Sequence, residues 1–178
     1  MDLERRTMQL YCRFEALFDD PDEVRTFWFD MAQHESTHFG ALALVVGLLE
    51  GSPARPLHAV ASLTPARVEH LRTLLDHFDA EAQKEMSLAR AFEMTLEIES
   101  SELEDVVLDL LSTFKGESER ERAVRLLIHD LGDLGYMIEK YTTEDALLAR
   151  ADALLETRVD RLHRKPTRPQ LPLRRVKG

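Results

Sequence analysis

The chain predicts an all-α fold, a four-helix bundle with one long crossover connection and an extra C-terminal helix. Three observations carry that expectation. Apolar residues recur at helical intervals along the chain, with no convincing stretch of the alternation that a half-buried strand requires. The seven glycines and seven prolines that would interrupt helices fall in clusters. Those clusters leave two pairs of long helices with short links, joined by one long connection, the pattern of a bundle with a single crossover.

Each element has a local reason. The first helix is expected over about residues 2–19. Asp20-Pro21 breaks it, and Pro21, with its φ already helical, is expected as the first residue of a second helix over 21–50. Residues 51–66, from Gly51-Ser52-Pro53 to Pro65, read as the long connection, carrying a helix of about 65–78 that Thr64 caps. Ser87 reads as the cap of a third long helix running to about 114. Lys115-Gly116-Glu117-Ser118 marks the next break, and a fourth helix follows over about 118–141. Thr143-Glu144-Asp145 starts a last helix ending near His163, after which Pro166, Pro169 and Pro172 favour an extended or disordered end. The expected organisation is a bundle over 1–141, an added helix within 142–164 and a basic, proline-rich tail over 165–178.

Composition narrows the function classes. With 178 residues, 44% apolar and 31% charged, the chain has the balance of a helix-rich globular protein with a sizeable core. No apolar run reaches membrane-spanning length and Met1-Asp2-Leu3-Glu4-Arg5 lacks a signal-peptide core, so a bacterial-style cytoplasm is the expected location. The single Cys12 rules out an intrachain disulfide framework and any cysteine-rich zinc or rubredoxin-type site. Residues 165–178 carry five basic residues and no acid, whereas the rest holds 18 basic and 33 acidic residues. So acidic a body argues against nucleic acid as a partner and suits a protein that attracts cations.

The informative feature is what the helices turn inward. On the second helix one stripe runs Trp28, Met31, Glu35, His38, Leu42, Val45, Leu49, placing a carboxylate and an imidazole on an otherwise apolar face. On the fourth helix Asp130 stands among Ala123, Leu127, Leu134, Met137 and Tyr141; on the third, Glu99 stands among Phe92, Leu96, Leu103, Val106 and Leu110. The first places Glu4 on the side of Tyr11, Phe14 and Phe18. Glu97 lies about 200° from Glu99 and is expected to face solvent. The spacing repeats: Glu4 to Glu35 is 31 residues and Glu99 to Asp130 is 31, an offset of 95 between the two helix pairs. Four carboxylates brought together in an apolar core need cations, and two divalent metals would neutralise them. Oxygen ligands with a few imidazoles suit iron or manganese better than zinc.

These motifs resemble the di-iron carboxylate pattern of the ferritin-like superfamily, and specifically its rubrerythrin-type members. Trp28 through Leu42, with Glu35-Ser36-Thr37-His38, is similar to that family's second helix. Ala91 through Glu102 is similar to its third, where the Glu-x-x-Glu of Glu99 and Glu102 supplies an extra carboxylate. The resemblance covers about residues 2–141. It implies a ferritin-like bundle that binds iron, two per chain or one, with manganese or zinc as alternatives. It implies reaction of that iron with O₂ or peroxide, as iron oxidation or peroxide detoxification. The ligand set it implies is Glu4, Glu35, His38, Glu99, Glu102 and Asp130. The fourth helix departs from the pattern: Asp130-Leu131-Gly132-Asp133 stands where the family has Glu-x-x-His, so Asp133 replaces an imidazole and the second metal position is weakened. Electrons would come from an external donor or from iron itself, since no rubredoxin-type cysteines are present. A homodimer is expected.

Two other classes fit parts of the sequence. A bundle that kept the fold and lost the metal would act as a binding or scaffold module. His34-Glu35-Ser36-Thr37-His38 also spells the His-Glu-x-x-His of zinc hydrolases, but Ala41 and Leu44 stand where the metzincin extension has Gly and His. In the bundle reading His34 lies at the edge of the stripe, free for a supporting or surface role. The tail, with Leu171-Pro172-Leu173 and Val176 in a basic stretch, reads either as a solubilising end or as a docking segment for a partner.

Overall fold

Helix follows helix in the computed structural model, which describes residues 2–50, 65–101 and 117–163. Every regular element among them is α-helical: α1 (Asp2–Leu17), α2 (Asp22–Glu50), α3 (Pro65–Glu81), α4 (Leu88–Glu99), α5 (Glu117–Tyr141) and α6 (Asp145–His163). The all-α helical bundle expected from the periodicity is what is found. None of these helices is long and apolar enough to cross a membrane.

Local chemistry explains the boundaries. At the start of α2 the carbonyl of Pro21 accepts from the amides of Val24 and Arg25, so the proline precedes the first helical turn instead of standing inside it. Ser87 caps α4 as expected, its hydroxyl accepting from the Arg90 amide at 3.2 Å. That helix ends sooner than its periodicity suggests. Ser100 closes it, donating its hydroxyl to the Glu97 carbonyl at 3.0 Å, while its amide donates to Leu96. The Ser101 amide then donates to Ile98 at 2.9 Å, a tighter three-residue turn that ends the helical ladder. The rest of the expected third helix, with Glu102, Leu103, Val106 and Leu110, lies outside the described residues, as do Thr64, the connection over 51–64 and the tail.

Packing follows the sequence order. α1 lies along α2, α5 along α6, and α4 and α2 both touch α5, while α3 covers α1. Arg6 of α1 reaches Asp76 and Asp79 of α3 at 2.7 and 2.8 Å. Arg90 of α4 binds Glu81 of α3 through two nitrogens and Glu93 through a third, with its guanidinium 5.6 Å from the centre of the Phe78 ring.

At one level of the bundle an aromatic layer holds α1, α2 and α4 in register. Trp28 stacks on Phe92 at 5.3 Å and meets Phe14 and Phe27 edge-on at 4.9 and 4.8 Å, with Tyr11 at 6.0 Å. Each such ring contributes roughly 1.5–3 kcal/mol by burial alone. This layer fixes where the next turns of α1 and α2 point, and those turns carry the carboxylates.

Candidate metal centre

Two turns before Tyr11 on the same face of α1 sits Glu4, with no exposed surface. Two turns beyond Trp28 on α2 sits Glu35, 3% exposed, and three residues later His38, partly buried. The helices run alongside each other in opposite directions, so these residues meet. One ligand atom from each of Glu4, Glu35 and His38 lies within 4.8 Å of the others, and among the described residues they are the group of three so arranged. His38 Nδ1 is 3.7 Å from Glu35 Oε2. A divalent ion bound at about 2.0–2.3 Å keeps its ligands within roughly 4–4.6 Å of one another, so this donor set is spaced for one ion after small side-chain adjustment. Two carboxylates and one imidazole also suit the chemistry of iron or manganese.

The other expected residues go elsewhere. Glu99, 3% exposed, is the last residue of α4; its Oε1 accepts from the Tyr11 hydroxyl at 2.9 Å. Its carbonyl accepts from Arg158 of α6, also 2.9 Å away and itself buried. Glu99 is thus tied to the cluster's own helix through Tyr11, without joining the group of three. Asp130, 7% exposed, points to His34: its Oδ2 is 2.9 Å from His34 Nδ1. That carboxylate holds the His34 pKa above its ordinary value, against the opposite push of burial. Asp133 is exposed and pairs with His129 at 3.2 Å, so it faces solvent. Glu97 is partly exposed on the opposite side of α4 from Glu99, 3.8 Å from Arg90. Tyr141 bonds to Glu23 at the far end of α5.

Two partners were not anticipated from the sequence. His34 has Asp130 as its partner, and the group containing Glu35 contains His38 but not His34. The offset of 95 that carries Glu35 onto Asp130 carries His34 onto His129, which marks both histidines but does not predict the pairing of His34 with Asp130. Arg158 had a signal, a lone cation closing the apolar stripe Leu147, Ala151, Leu154.

Comparison of the chain with protein-family models, with curated proteins and with solved structures finds no match.

Proposed function

We propose that this protein is a ferritin-like, rubrerythrin-type non-haem iron protein, cytoplasmic, whose metal sits between α1 and α2. The observation that carries the reading is the convergence of Glu4, Glu35 and His38 inside the bundle. Burying two carboxylates and an imidazole side by side is costly unless a cation or protons balance them, and a divalent ion does so while using all three as ligands. Iron bound there would supply the one-electron chemistry that reduces O₂ or peroxide. Glu4 and Glu35 would hold it by oxygen and His38 by nitrogen, across a helix contact that the aromatic layer keeps rigid. Burial of the carboxylates keeps bulk water from them. Tyr11 orients the Glu99 carboxylate beside the same face, and Arg158 anchors the end of α4 that carries it. Electrons come from an external donor or from iron itself.

About one iron per chain is the stoichiometry this arrangement favours, since Asp130 is engaged by His34 and Asp133 faces solvent. A second ion would depend on Glu99 with Glu102. The test is anaerobic Fe(II) titration of the purified full chain, followed by metal analysis and a pulse of O₂ or peroxide. Uptake of about one Fe(II), lost in Glu35→Gln and followed by oxidation, supports the proposal. About two would add the second position, and Mn(II) uptake without oxidation would change the metal. Preferential zinc binding abolished by His34→Ala would replace the reading with the hydrolase. A folded chain that takes up no metal would leave the scaffold reading.

A further inference from the structure

α2 and α5 touch along one edge and part toward the outside, leaving an open groove of about 830 Å³. Its floor is apolar, built from Phe27 and Met31 of α2 with Leu126 and Met137 of α5. Its polar lining is uneven. Arg122 and Arg125 stand where α5 begins, while the exposed Asp30 and Asp133 stand farther along. Along it Leu126 and Tyr136 are 37% and 50% exposed.

The chain holds a segment of matching chemistry. Residues 165–178 carry Lys165, Arg168, Arg174, Arg175 and Lys177 with no acid, and Leu171, Leu173 and Val176 between them. The short link between α5 and α6 makes these helices antiparallel, so α6 ends at His163 level with the first turns of α5, which carry Arg122. The 15 residues that follow span up to about 50 Å when extended, against about 22 Å along α5 from Arg122 to Met137. The order of charge also agrees. The thinly charged part of the segment would pass the two arginines, and its dense basic end would reach the two aspartates.

We propose that residues 165–178 seat in the α2–α5 groove of their own chain. Leu171 and Leu173, on one side of an extended segment, cover the apolar floor, and Arg174, Arg175 and Lys177 meet Asp30 and Asp133. This does not depend on metal binding. The pairing is between exposed charges, so it weakens with salt.

The test uses the full chain with Cys12→Ser and a nitroxide on Gly178→Cys, read as line broadening of backbone amides. Expected is selective signal loss over 26–34 and 129–137, unchanged on dilution and relieved by Asp30→Lys with Asp133→Lys. No selective loss there, or loss that survives the charge reversal, overturns the proposal. Loss appearing only between separately labelled copies also overturns it and makes a second chain the occupant.

Discussion

Glu35 and Tyr11 bear the proposal most directly, because each can be changed by one functional group without altering its shape. Glu35→Gln removes a negative charge beside Glu4 and a ligand oxygen. Two nearby carboxylates disfavour each other's ionised form, so the metal-free variant should melt at or above the parent temperature. With Fe(II) the order should reverse. At a free-ion concentration of 100 times Kd the parent gains about 2.7 kcal/mol and the variant much less. Anaerobic melting curves with and without Fe(II) measure both; an equal shift in the two proteins would remove Glu35 from the site. Tyr11→Phe deletes the hydroxyl that donates to Glu99 in a fully buried position. It is expected to cost about 1–3 kcal/mol in urea unfolding, the penalty for stripping a donor from a buried acceptor.

At the scale of elements, α5 carries a weakness that is easily removed. Gly132 and Gly135 lie within the helix, and a Cβ added at either meets no atom within 4 Å. Neither glycine is needed for packing within the described residues, so each costs roughly 0.5–1 kcal/mol relative to alanine. Gly132→Ala should therefore raise the unfolding free energy by about that amount. A loss instead would mean that another segment or copy packs against that turn. Most of the elements were legible because their signals are local: Ser87 caps α4, Asp20-Pro21 separates α1 from α2, and apolar stripes repeat every three to four residues. The stop at Ser100 was missed because its hydroxyl bonds the backbone, which leaves the apolar stripe intact.

Across the whole molecule, Glu4, Glu35 and His38 were legible as residues because burying them contradicts the hydrophobic pattern. The choice that Asp130 makes between the bundle centre and His34 was not, because it depends on side-chain direction across two helices distant in sequence. The same long-range placement builds a further α2–α5 tie that can be titrated. Glu23 of α2 accepts from Lys140, Tyr141 and Tyr136 of α5, and chiefly the lysine holds its pKa below the ordinary value. Glu81 is lowered likewise, first by its bond to Arg90. A carboxylate whose folded-state pKa lies below its unfolded value of roughly 4.3 contributes stability that is fully present above that value. The contribution is lost as pH falls through the folded-state pKa. Glu81→Gln and Glu23→Gln should each lower the urea midpoint near neutral pH, Glu23→Gln only slightly because an exposed pair is screened. Both deficits should shrink as the pH is lowered below about 4, so the variants have flatter acid limbs than the parent. Curves that stay parallel down to about pH 3 would show that these carboxylates do not link α2 to α5, or α3 to α4, through their charge.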